Sequence, residues 1–179
     1  MSTTFGGAKL YKPAQDTVMS LPSAASTAIS PGDLLYWDTS AKVLKPFDVY
    51  PATGTVNTDQ AAIRAVFAGV ALQGKLAADT TAGYPAFSGE GITFAPDALY
   101  EATCAAATFE PGDLVAASVA ASAGAGNVAA QSVVKTTDAG EAIGYVVERY
   151  ASNTTLVRVR LIGRWSPYNY ADYNNTTSA

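Results

Sequence analysis

The sequence predicts an all-β protein of small antiparallel β-barrel or sandwich modules, in two degenerate copies, with an extended N-terminal arm. Three observations carry this expectation. Short apolar segments alternate with turn-forming clusters along most of the 179 residues. The tetrapeptide Pro-Gly-Asp-Leu is written twice, at Pro31–Leu34 and Pro111–Leu114. After each copy the same order follows: a hairpin, an apolar strand with an internal glycine, a loop and a closing strand.

Residues 1–29 are rich in Ser, Thr, Ala and Pro, with isolated apolar anchors that include Phe5, Leu10 and Tyr11. Anchors so sparse do not build a core, which predicts an arm laid across another surface. The first module is expected over 30–105. Pro fixes φ at the second position of a β-turn, and Gly accepts the positive φ beside it. Asp bonds nearby amides, and Leu opens the strand. "DLLYW" (33–37) and "KVLKPF" (42–47) then flank "DTSA" as a hairpin. Within "TDQAAIRAVFAGVAL", residues 66–72 read as a strand because Val66, Ala68, Val70 and Leu72 alternate. The residues before them read as a loop or a single helical turn, with Thr58 or Asp59 as its cap.

The second module is expected over 106–165. "DLVAASV" (113–119) leads to the Gly/Ala/Ser tip "AASAGAGN", and "VAAQSVV" (128–134) returns. "AIGYVVERY" (142–150) and "LVRVRLIG" (156–163) read as a hairpin around a turn at "SNTT" (152–155). Val157, Val159 and Leu161 face one side and Arg158 and Arg160 the other. Gly69 and Gly144, inside apolar strands, read as bulges or close backbone crossings. Trp165 reads as a cap on its own barrel. Residues 166–179 form a tail in which Tyr168, Tyr170 and Tyr173 are candidate partner anchors, as are Phe5, Leu10 and Tyr11 in the arm.

The composition narrows the chemistry. There is no His and a single Cys, so Cys104 has neither a disulfide partner nor an imidazole to activate it. It reads as a small buried hydrophobe. Metal, cofactor and catalytic sites are expected to be absent. Asp33 and Asp113 read as turn residues, Glu90 and Glu101 as edge charges, and "TTDAGE" lacks the alternating ligands of a Ca²⁺ loop. Net charge is −4 and the eleven basic residues are scattered, which argues against nucleic acid. The chain reads as soluble and free of secretory or membrane segments. Charged residues make up only 15%, a surface suited to packing against neighbours.

The order PGDLLYWDTSAKVLKPFD … FAGVALQG … PGDLVAAS … AIGYVVER … VRVRLIG resembles the head decoration, or capsid cement, proteins of tailed bacteriophages across residues 30–164. The resemblance implies β modules on the outside of an assembled shell, bound to the major capsid protein. It implies homo-oligomers, trimers above all, that brace the shell against internal DNA pressure. It also implies synthesis in the host cytoplasm, a final place on the virion exterior, and no catalytic residue or cofactor. Two linked modules depart from the single module of many members. Other readings are a tail or neck protein of the virion, or a carbohydrate-binding module stacking sugars on Tyr36, Trp37, Tyr84, Trp165 and Tyr168.

Overall fold

The computed structural model describes residues 9–13, 18–78, 91–119 and 128–166, and these are mostly strand. The chain begins with β1 (Lys9–Pro13) and β2 (Met19–Leu21), then β3 (Leu34–Asp38) and β4 (Val43–Pro46). A 3-10 turn, Phe47–Val49, and the helix α1 (Val56–Val66) lead to β5 (Phe67–Ala71) and β6 (Ile92–Ala95). The rest is β7 (Asp97–Phe109), β8 (Leu114–Val119), β9 (Val128–Thr136), β10 (Gly144–Val146) and β11 (Tyr150–Ile162). The all-β expectation is borne out.

Two sheets carry one wiring. The first has the order β2-β6-β5-β3-β4; the second runs β7-β11-β10-β8-β9, with β1 added beside β7. Each sheet thus places its first strand beside its last, then its fourth, second and third. Both close on themselves with parallel pairing. In the second, β7 meets β9 at Thr103↔Ser132 and Cys104↔Val133. In the first, closure is the single bridge Ser23↔Leu44, where the Leu44 N–H donates to the Pro22 carbonyl (2.7 Å) and the Ala24 N–H to that of Leu44 (3.0 Å).

The registers agree residue by residue. Leu35 faces Gly69 as Val115 faces Gly144. Ala71 faces Phe94 as Val146 faces Val159. Phe94 faces Met19 as Val159 faces Tyr100. The two Pro-Gly-Asp-Leu turns match to the bond. The Gly32 and Gly112 N–H groups donate to Ala71 and Val146, both at 2.8 Å, and the two glycines have φ of 94° and 92°. The Asp33 and Asp113 carboxylates accept from the Ser30 and Glu110 N–H groups, both at 2.7 Å. The repeated tetrapeptide is therefore one structural device used twice: a turn with a left-handed glycine that starts the second strand of each barrel.

Burial explains why "LLYW" is a continuous apolar run. Leu35 packs inside the first barrel with Leu44, Ala71, Ile92 and Phe94. Leu34 and Tyr36, on the opposite face, belong to the larger core, shared with Tyr100, Val115, Val133 and Val159 of the second barrel. A strand buried on both faces has no polar side to alternate with. Further bonds tie the barrels together. Tyr100 donates its hydroxyl to Gly32 (2.8 Å), Gln60 Nε2 to Ala117 (2.9 Å) and the Arg164 N–H to Phe67 (2.8 Å).

Four local readings differ from expectation. The loop or single turn before β5 is an eleven-residue helix. Ile63 gives it a buried apolar contact, and Asp59, buried within it, accepts from the N–H groups of Thr53 and Gly54 at 2.9 Å. The "SNTT" stretch is part of β11, whose register against β7 slips between Tyr150 and Thr154 and again between Thr154 and Leu156. Its turn chemistry is spent on irregularities within a strand. Expected segment boundaries are crossed by strands: Met19–Leu21 of the arm is a strand of the first sheet, and β7 spans 105/106. Trp165 caps the other barrel, its ring 5.6 Å from Trp37 and 5.8 Å from Phe94.

Candidate functional site

Several of the described side chains able to do chemistry are occupied by structure. Cys104 is a half-buried free thiol rather than a fully buried one; burial pushes its pKa up, which keeps it protonated. Asp138 and Glu141 of "TTDAGE" hold their own turn: the Gly140 N–H donates to Asp138 Oδ1 (2.7 Å) and the Thr136 hydroxyl to Glu141 Oε2 (2.8 Å). Glu101 lies beside Arg158, which also pairs with Glu148 at 2.9 Å. Glu90 lies outside the described residues. Among the described residues no three acidic or thiol side chains gather as a metal site, and no helix is long and apolar enough to cross a membrane.

The strongest ion pair is structural. Asp97, fully buried, takes both forks of Arg160, at 2.7 and 3.1 Å. Bonding to Asp97 raises the Arg160 pKa further, against the effect of burial. The pair joins the start of β7 to the end of β11 on the outer face of the second barrel.

Of the aromatic candidates, Tyr36 is only 4% exposed and meets Tyr50 edge-on at 5.1 Å. Burial pushes its pKa up to about 12. Trp37 and Trp165 also meet edge-on, at an interplanar angle of 81°. Tyr84 and Tyr168 lie outside the described residues. An open groove of about 410 Å³ lies against these aromatics, walled by Trp37, Val49, Tyr50 and Pro51, with the Asp38–Lys45 ion pair (2.7 Å) at its rim. The parts of Val49, Tyr50 and Pro51 in this groove are absent from the sequence reading, because nothing local marks a 3-10 turn that folds back onto β3.

Among the predicted partner anchors, Leu10 and Tyr11 lie on β1, which pairs antiparallel with β7 at Leu10↔Tyr100 and has no second neighbour among the described residues. Phe5, Tyr168, Tyr170 and Tyr173 lie outside the described residues. The structure therefore places part of the arm as a strand at a sheet edge. The exposed large apolar side chains include Val18, at 54%, just before β2, and Leu76, at 68%.

One comparison with known proteins covers most of the first barrel, β2 to β5. The family model for phage cement protein matches residues 12–86, from the end of β1 through β5. The resemblance read from the sequence is borne out over that stretch. No curated protein matches the chain.

Proposed function

We propose that this chain is a decoration protein that binds the outer surface of a phage head through the major capsid protein and stabilises the shell. The observation that carries this reading is the cement-protein match, which covers four of the five strands of a barrel whose wiring is then repeated in the same chain. The reading assigns no reaction: the turn aspartates and the Asp97–Arg160 pair hold the fold. The protein works as a homo-oligomer, taken as a trimer, made in the host cytoplasm and carried on the virion exterior. The arm (1–29) and tail (166–179), with Phe5, Leu10, Tyr11, Tyr168, Tyr170 and Tyr173, supply the contact.

A surface with few charges makes that contact by shape and apolar burial. Such burial contributes about 25 cal/mol per Å² before association costs, whereas exposed ion pairs give about 0–1 kcal/mol and fade with salt. Replication over a symmetric oligomer adds avidity without new contacts. The test is co-sedimentation of the purified protein with undecorated capsids across a salt series, with light scattering for oligomer mass. Binding that persists at molar salt and raises the temperature of capsid rupture is expected. No binding, or no change in rupture temperature, overturns the reading.

A further inference from the structure

The repeat makes a prediction about its own unfilled position. In the second barrel, the strand β7 has neighbours on both sides. One side is β11. The other is shared end to end: β9 takes Thr103 and Cys104, and β1 takes Ala98–Glu101. Register assigns each β7 position a counterpart in the first barrel. Tyr100 corresponds to Met19, Glu101 to Ser20 and Cys104 to Ser23, because each faces the equivalent partner strand. The β4 bridge at Ser23 fills the place of β9. Among the described residues, nothing fills the place of β1 beside Val18–Ser20.

The side chains record the difference. Tyr100 is fully buried and Leu99 is half-buried. Their counterparts Met19 and Val18 are half-buried and 54% exposed. A strand edge with an apolar side chain standing open beside it is an acceptor for one more strand.

We infer that this edge is a strand-docking site and that its occupant is the chain's own C-terminal tail, residues 167–179. The last described residues lie close by. Trp165 packs on Phe94, and Phe94 is the β6 residue directly opposite Met19. Met19, Leu21 and Trp165 pack against one core cluster. Thirteen residues reach about 43 Å when extended. The tail reads Pro-Tyr-Asn-Tyr-Ala-Asp-Tyr from Pro167, so Tyr168 and Tyr170 share one face of a strand. Each barrel is then completed by one chain terminus: the second by the N-terminal β1, the first by the C-terminal tail. This goes beyond the shell-binding reading and does not depend on it.

The test is amide hydrogen exchange on the free protein, comparing the full chain with a chain ending at Ser166 and with Tyr170→Pro, which removes a backbone donor. Exchange at residues 18–21 is expected to speed up about 10-fold or more in both variants, with β7 residues 98–101 unchanged as the internal control. Unchanged exchange at 18–21 overturns the inference. Equal acceleration at 98–101 also overturns it, since that reports general loosening. Capsid plays no part in this measurement, so its outcome and that of the shell-binding test are separable.

Discussion

The two barrels share a backbone plan and differ in what covers them. In the first, positions 34, 70 and 95 of the outer face hold Leu, Val and Ala, all fully buried. In the second, register places Leu114, Tyr145 and Arg160 at the same positions, none of them fully buried, and the face carries the Asp97–Arg160 ion pair. The first barrel is therefore an inner module that leans on its neighbour, and the second is an outer one that faces water. What the repeat conserves is the turn, the glycine crossing and the closing register. What it leaves free is the side-chain chemistry of the outward face, which follows the neighbour rather than the fold.

The largest test breaks the chain between the barrels. A fragment ending at Pro96 keeps all five strands of the first sheet but bares Leu34, Tyr36, Phe67 and Val70 and loses the Trp165 cap. It is expected to show no cooperative thermal transition, while the full chain melts in one. A fragment melting at the full-chain midpoint would make the first barrel independent and end the inner-and-outer distinction.

The next test asks whether the equivalence holds at the glycines. A Cβ on Gly69 would overlap the Ala95 carbonyl, and one on Gly144 the Arg160 carbonyl, whereas one on Gly112 meets nothing within 4 Å. Gly69→Ala and Gly144→Ala are each expected to cost about 3 kcal/mol or more in urea denaturation. Gly112→Ala carries only the strain of its positive φ, about 1–2 kcal/mol. A small loss at Gly144 with a large one at Gly69 would show that the crossings are not equivalent.

These glycines also mark how far the sequence could be read. The repeat, both Pro-Gly-Asp-Leu turns, the first hairpin and the alternation of Val157, Val159 and Leu161 were legible because each is a local pattern with a local cause. The helix was not: its buried polar residues Asp59 and Gln60 look like a solvated face until Thr53, Gly54 and Ala117 supply their partners. Trp165 was legible as a cap but not as a cap on the other barrel, because its partners Trp37 and Phe94 are remote in sequence. The β2 edge became visible only once register tied Met19 to Tyr100. The arm and tail anchors stay at the level of composition, where an apolar residue signals contact without naming its surface.

A third test strikes the feature the first barrel lacks. Asp97→Asn leaves the Arg160 guanidinium without its buried carboxylate, which is expected to cost about 3 kcal/mol by chemical denaturation. Replacing both residues by apolar ones of similar size should recover most of that loss, as the first barrel manages with Ala95 at the position of Arg160. Failure to recover would mean that the pair specifies the seam between β7 and β11 as well as satisfying itself.

The smallest effect sharpens the comparison at the repeated turn itself. Asp33 and Asp113 accept the same backbone bond, yet their pKa values move oppositely. Burial raises Asp33, the Ser30 N–H bond opposes this, and the Asp48 charge raises it further. Burial also pushes Asp113 up, but the Glu110 N–H and Lys135 outweigh it, so its pKa ends below the ordinary value of 3.8. Register puts Pro46 where the second barrel has Lys135, so Asp33 has no such cation. The signs follow. Asp113 adds stability above pH 3.8 that is lost as pH falls through its lowered value. Asp33 adds stability below pH 3.8 that is lost as pH rises through its raised one. Lys135→Met should make the second turn behave like the first. Lys135 is 42% exposed, so the loss at neutral pH is expected to stay under about 1 kcal/mol and to shrink as pH falls. The Asp113 carboxyl midpoint, followed by NMR titration, should rise toward that of Asp33, which should itself stay put. An Asp113 midpoint indifferent to Lys135 would mean that the backbone turn alone sets it, and the contrast between the turns would then need another cause.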